Sequence, residues 1–316
     1  MNMYLLKLVY RYLLPDFIKS KIQSKHDEKF LNECKERMKR TRVSKNEIAS
    51  IISKLDIDDC DVMLHTSMIS IGKLEGGRKW IAECLFDKMD LEQNTLLTVA
   101  LTYIGKNKDF LESNPTFDVR TAPIAMGAIN EYIASLDGAI RSIHPTHSVV
   151  AIGKKAKEYT MNHHKDVTPF GENSPYYKII KNRGKIVFFG ISIGSFTAVH
   201  ALEDPLLDEM PISIYNKKRY NIRCLDWDGK ELYVETPCHN PIAGMKRSLI
   251  RFEEEIMSLG IMSKHPIGEG FVSVVDAYSF AQYYLSKLKQ GYSVYGKIKV
   301  TEKLKKAIEE LQLHLS

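Results

Sequence analysis

The sequence predicts an α/β fold, a layered sheet with helices on its faces, and three observations carry that prediction. Four short apolar runs, Asp61–Ser67, Thr95–Leu101, Ser148–Gly153 and Lys185–Gly190, have strand length and are rich in Val, Ile, Leu and Phe. The segments between them read largely as helices. The composition is that of a globular chain: of 316 residues, 44% are hydrophobic and 27% charged, which excludes disordered and low-complexity classes. The length suits one large α/β domain with additions. No apolar run reaches the roughly 18 residues needed for a membrane-spanning helix.

Residues 1–30 crowd apolar side chains, among them Leu5, Leu6, Leu13 and Leu14, between Lys7, Arg11, Lys19 and Lys21. They predict an amphipathic helical arm, kinked or divided at Pro15. The stretch lacks a small-residue cleavage site and is not read as a signal peptide. Two roles stay open for it: docking on anionic lipid, or packing on the same chain or a twin subunit. Residues 1–46 hold twelve Lys/Arg against five Asp/Glu, and the remainder holds 33 against 34. The overall charge of +6 therefore belongs to the arm and gives no argument for nucleic-acid binding by the main body.

Residues 31–54 look helical, with Ser44 capping a second helix whose third residue is Glu47. The first strand, Asp61–Ser67, leads through Gly72, Gly76 and Gly77 to a helix around Arg78–Met89. Thr95–Leu101 is the second strand, and residues 104–122 read as loop. Pro123–Ser135 reads as a helix with proline in its first turn. Ser148–Gly153 and Lys185–Gly190 follow, the last continuous in apolar residues as a buried parallel strand should be. Beyond Tyr215 a hairpin turning at Asp228-Gly229 is expected, then a charged helix Arg247–Ile256 and helices near Val275–Lys289 and Glu302–Leu313. The five cysteines are scattered without a Cys-x-x-Cys, which argues against a disulfide scaffold or a zinc ribbon and fits a reducing cytoplasm. His163-His164 is a poor metal pair, since consecutive histidines do not face one ion easily on regular structure, so no metal is expected.

Polar groups gather where the strands end: His65-Thr66-Ser67, Thr102-Tyr103, and Gly190 to Ser195. In open α/β sheets ligands bind beyond the carboxyl ends of strands. Gly190-Ile191-Ser192-Ile193-Gly194 also fits the nucleophile elbow of a serine hydrolase. Ser192 would then attack, with Asp226 or Asp228 and His239 or His265 as partners. No HGGG-like oxyanion segment accompanies it. In the run Arg141–Gly153, His144 precedes Pro145 and so has an extended backbone. Arg141 suits a phosphate or carboxylate, and His144 or His147 an acyl carbonyl; the alternative is that these groups satisfy buried backbone. In TAVHALE, Thr197–Glu203, the i,i+3 spacing puts His200 and Glu203 on one helical face, where a carboxylate fixes and stabilises an imidazole base.

Taken together, His65–Gly72, Thr121–Glu131, Arg141–Gly153, Ser174–Ile191 and TAVHALE resemble, in order and spacing, the aminoglycoside 3-N-acetyltransferase family. The resemblance covers roughly residues 43–290. It implies a layered α/β/α sandwich distinct from the commoner acetyltransferase fold, preceded by the arm at 1–42 and followed by a C-terminal helix within 291–316. It implies transfer of acetyl from acetyl-coenzyme A, as cosubstrate and without metal, to a primary amine of an aminoglycoside or other amino sugar. His200 would be the base and Glu203 its partner. His65, Thr66, Ser67, Ser142, His144 and Ser148 would flank the coenzyme, and amides of Gly190–Ser195 would face the thioester oxygen. Ser192 becomes part of a strand-end loop. Two departures stand out: TVALTY lacks the proline that family members often carry at that strand end, and the basic arm has no counterpart. A basic arm does not recruit a polycation, so an amino sugar of surface-polysaccharide synthesis is an alternative substrate. A cytoplasmic enzyme, with membrane contact or a homodimer contact through residues 1–40, is the expectation; a catalytically silent protein keeping the fold is the remaining alternative.

Overall fold

The computed structural model describes residues 28–316 apart from 30 and 126. Of the expected arm at 1–42, residues 1–27, with the kink expected at Pro15, lie outside the described residues. The central sheet has seven strands: β1 (Val62–Thr66), β2 (Thr95–Val99), β3 (Ile140–Arg141), β4 (Val149–Gly153), β5 (Lys185–Phe189), β6 (Met262–Ile267) and β7 (Gly270–Asp276), in the order β6-β7-β5-β1-β2-β4-β3. The middle strands β5, β1 and β2 are parallel; every other pairing is antiparallel. The parallel strands therefore end at one edge, with Thr66, Val99 and Phe189. By the alternation of directions β3 ends there as well, while β4 and β7 begin there.

Alternation of side chains splits the core into two layers. Met63, Leu97, Val149, Ala151, Ile186 and Phe188 face one layer, completed by buried residues of the helices Pro175–Lys181, His200–Glu203, Ala277–Lys289 and Glu302–Leu315. Val62, Leu64, Leu96, Val150, Val187 and Phe189 face the other, against the helices Lys45–Ser53, Gly77–Met89 and Ala128–Ala134. This is the α/β/α sandwich expected. Ser44 caps the helix Lys45–Ser53 by accepting from Glu47 N at 3.2 Å. A third, smaller core lies under the hairpin Tyr215–Leu225/Glu231–His239, which takes Phe117–Asp118 as a parallel third strand. The hairpin turns at Asp226–Lys230, with Gly229 at φ 78°.

Four details differ from expectation. The helix expected at Pro123 begins only at Ala128, because Gly127 holds φ 76° and Ala125 N donates to Leu101 O at 2.7 Å, keeping the preceding chain irregular. The expected loop 104–122 contains the short helix Asn107–Glu112 and the strand Phe117–Asp118. Strands β6 and β7 extend the sheet where no strand was expected, and Val275 lies in β7 rather than in the following helix. Arg247 is not helical: at φ −61° and ψ 132° it ends the helix Pro241–Lys246, and the next regular helix is Glu253–Ser258. The helical residues 31–40 are fastened to the main body, Arg37 Nη1 donating to Ser70 O at 3.1 Å and Arg40 Nε to Glu269 at 2.7 Å.

Candidate active site

The site forms where β5 leaves the sheet. Gly190 turns the chain at φ 73°, where a Cβ would meet Ser67 O at 2.5 Å. Two tight turns, Ile193–Ser195 and Thr197–Val199, then deliver the helix His200–Glu203. The i,i+3 spacing brings His200 Nδ1 to 2.7 Å from Glu203 Oε2. Glu203 is wholly buried and also accepts from Tyr284 at 3.3 Å and Tyr295 at 3.2 Å. Burial raises its carboxyl to about 7, while Arg247, Tyr295 and Tyr284 pull the other way. All three hydrogen-bonding neighbours can donate, so the oxygens serve as acceptors and Nδ1 of His200 carries the ring proton.

That tautomer leaves Nε2 as the imidazole's acceptor. Arg247 occupies it: Nη1 donates to Nε2 at 2.6 Å, and Nη2 to Gly194 O at 2.9 Å. His200 is held well below the ordinary histidine value by burial first and by Arg247 second, so it is neutral. Arg247 was missed in the sequence, where it reads as one more charge of a helix; only its pairing with His200 marks it, and no spacing signal encodes that pairing.

Around the dyad the rings continue. His239 packs on His200 at 5.2 Å between centroids, His147 on His239 at 5.1 Å, and Phe170 on His200 at 5.1 Å. His144 lies farther in, stacked on His163 at 4.7 Å. His65, on β1 in the same layer, stacks on Phe188 at 5.3 Å; its Nε2 is buried without a partner. Burial, then the charge of Arg247, lowers His65 to about 4. Thr66 and Ser67 are half-buried at the end of β1.

The other three residues expected around the coenzyme are differently placed. Ser142, His144 and Ser148 are wholly buried. Ser142 Oγ bonds His163 Nδ1 and accepts from Val149 N, both at 2.9 Å. Ser148 Oγ donates to Ala100 O at 2.6 Å and accepts from Arg141 Nε at 2.9 Å. His144 Nδ1 accepts from His147 N at 3.0 Å. Arg141, also buried, donates to the carbonyls of Ala100, Ala122 and Pro123. The segment fixes the loop between β3 and β4 from within: Arg141, Ser142 and Ser148 spend most of their polar atoms on backbone, while His144 Nε2 is buried without a partner. Two of the amides expected to face the thioester are likewise used, Gly190 N by Phe271 O at 2.8 Å and Ser195 N by Ser192 O at 3.0 Å.

Nor is a hydrolase elbow formed. Ser192 has ordinary extended backbone, φ −79° and ψ 162°, and among the described residues no histidine hydrogen-bonds it. Asp226 and Asp228 lie at the hairpin tip, whose Trp227 Nε1 donates to Arg141 O at 3.2 Å, and His265 lies on the outer strand β6. His163 is enclosed, bonded to Ser142 and Pro169 O, and no cluster able to hold a metal occurs among the described residues.

The comparisons decide the lineage. Residues 63–289 match the family model of aminoglycoside 3-N-acetyltransferase. The chain belongs to that family. Aminoglycoside N(3)-acetyltransferase III of Salmonella sp is 29% identical over 169 residues, 49% of this chain and 58% of that protein. Aminoglycoside N(3)-acetyltransferase IX of Micromonospora chalcea is 28% identical over 175 residues, 51% of this chain and 62% of that protein. The matched stretch thus spans about three-fifths of these relatives' length. Among solved structures, AAC-IIIb in binary complex with CoASH matches with TM-score 0.64 at 20% identity, over 80% of this chain and 98% of that one. AAC-VIa bound to sisomicin matches with TM-score 0.60 at 24% identity, over 78% and 97%. These establish the family's fold for this chain.

Proposed function

We propose that this member of the aminoglycoside 3-N-acetyltransferase family transfers acetyl from acetyl-coenzyme A to a primary amine of an aminoglycoside or other amino sugar. The observation that carries the reading is the buried dyad, Nδ1 of His200 held 2.7 Å from Glu203 with the neutral imidazole's Nε2 turned to the one cation beside it. The family match and the relatives' names support the substrate class, and the structural match to a CoASH complex supports the cosubstrate.

An amine attacks a thioester only as the free base. His200 Nε2 takes a proton from the acceptor's ammonium, the nitrogen–carbon bond forms, and the carbon–sulfur bond breaks, the departing thiolate taking the proton that the nitrogen sheds on becoming an amide. Glu203 offsets the imidazolium formed. A positioned base contributes about 10²–10⁴-fold. His65, Thr66 and Ser67, at the end of the central strand, fit the thioester end of the coenzyme: His65 brings a buried, uncommitted ring nitrogen and the other two bring hydroxyls. Unused backbone donors of the Gly190–Ser195 loop would stabilise the oxygen, where one donor is worth about 3 kcal/mol.

The positive excess of residues 1–46 favours a second acceptor, an amino sugar carried on a nucleotide or lipid and met at an anionic membrane. No helix among the described residues is long and apolar enough to cross a membrane. Thiol release from acetyl-coenzyme A, measured over a panel of aminoglycosides and amino sugars, tests the reading. Release with an aminoglycoside supports the first acceptor, release with amino sugars alone the second, and release with none overturns both.

A further inference from the structure

His200 can act only if Nε2 is open, and in this structure Nε2 is closed. The guanidinium of Arg247 spans the two acceptors at the mouth of the dyad, His200 Nε2 and Gly194 O, at 2.6 and 2.9 Å. Both are acceptors, and both are met by N–H groups of one cation. An amino sugar's ammonium is the same kind of group. We propose that Arg247 is an internal plug of the acceptor subsite, holding the place of the substrate's ammonium until an amine displaces it.

The segment that carries Arg247 is built to give way. It is hung from two points: Asn240 N bonds Ile214 O and Asn240 Nδ2 bonds Ser213 O, while Ser248 N bonds Val294 O, each at 2.9 Å. Between them runs the short helix Pro241–Lys246, in which only Ala243 is buried. Ile242 and Met245 stand 38% and 55% exposed, and Gly244 has no neighbour within 4 Å of where a Cβ would stand. With so little apolar surface covered, this segment belongs to the part of the fold that opens locally at low cost. Swinging Arg247 outward frees Nε2 and Gly194 O together. The incoming ammonium takes both contacts, and its proton passes to Nε2 as the nitrogen becomes nucleophilic. The free site is thereby kept closed to water and to acceptors that do not bring a competing cation.

This inference rests on the acetyltransferase reading for its purpose but not for its first test. Full-length protein without acetyl-coenzyme A is treated with diethyl pyrocarbonate, and carbethoxylation of His200 is followed by peptide mass spectrometry against exposed His314. In the wild type His200 is protected; in Arg247→Ala it reacts at least tenfold faster, and in Arg247→Lys at an intermediate rate. Unchanged protection in a folded Arg247→Ala overturns the plug, whatever the enzyme's activity. The second test is kinetic: removing the plug lowers KM for the amine several-fold more than it changes kcat. A KM that rises instead makes Arg247 a substrate contact and overturns the proposal. If His200 is unmasked but no amine is acetylated, the plug stands and the acetyltransferase reading falls.

Discussion

His200 Nδ1 lies 2.7 Å from Glu203 Oε2, three residues along one short buried helix. The pair sits at the sheet edge where three parallel strands end, and two tyrosines close the far side of the carboxyl group. Replacing Glu203 by glutamine keeps one acceptor oxygen for Tyr284 or Tyr295, puts an NH2 donor in place of the other, and removes the charge that stabilises an imidazolium. The expected result is a loss of kcat/KM between about 10- and 10⁴-fold, the range seen when an imidazole loses its orienting partner. Glu203→Ala adds unpaired hydroxyls, at about 1–3 kcal/mol each. Steady-state rates and urea melts of both variants separate the two effects.

Ser192→Ala is expected to keep most of the transfer activity, since Ser192 has relaxed backbone and no histidine on it. A dead Ser192→Ala beside an active His200→Asn would return the site to hydrolase chemistry.

Ser142→Ala is expected to act on stability. It strips a partner from Val149 N and from His163 Nδ1, both buried. The cost is about 1–3 kcal/mol in a urea melt, with coenzyme A affinity unchanged by calorimetric titration. Weakened coenzyme binding at full stability would place Ser142 in the channel after all.

The imidazoles around the dyad make the fold acid-sensitive. Burial lowers His65 to about 4 and His163 to about 3, and lowers His144, His147, His200 and His239 as well. In the unfolded chain each takes a proton near pH 6.5, while the native chain does not. Their stabilisation is complete above about 6.5 and is lost as pH falls toward 4 and 3, by up to about 1.4 kcal/mol per pH unit for each ring. Glu203, raised to about 7, and Asp166 and Asp204, also raised by burial, work the other way, but they are three groups against six. The melting temperature should fall steadily from pH 6.5 to 4.5; a flat profile would show that the rings are not held neutral.

Much of this was legible in the sequence. The four apolar runs became strands because each is dominated by Val, Ile, Leu, Met, Ala or Phe, and their polar ends fell on one edge because three of them are parallel. The dyad was legible because i,i+3 spacing is local. Strands β6 and β7 were not: MSKHPI mixes Lys, His and Pro into an outer strand of which only the end residues Met262 and Ile267 are buried. The Arg141–Ser148 segment shows the limit most clearly. Its Arg, Ser and His have the chemistry of a ligand site, yet the fold spends Arg141 and Ser148 on carbonyls of Ala100 and Pro123, contacts more than fifteen residues away that no local pattern encodes. Arg247 is hidden for the same reason, 47 residues from the imidazole it covers.

The most direct measurement is thiol release from acetyl-coenzyme A, with an aminoglycoside or amino-sugar acceptor, by the wild type and by His200→Asn, alongside calorimetric titration of coenzyme A. The account predicts amine-dependent release by the wild type, a fall of about 10²–10⁴-fold in His200→Asn, and near-equal coenzyme affinity in both. Release by His200→Asn at the wild-type rate would contradict it.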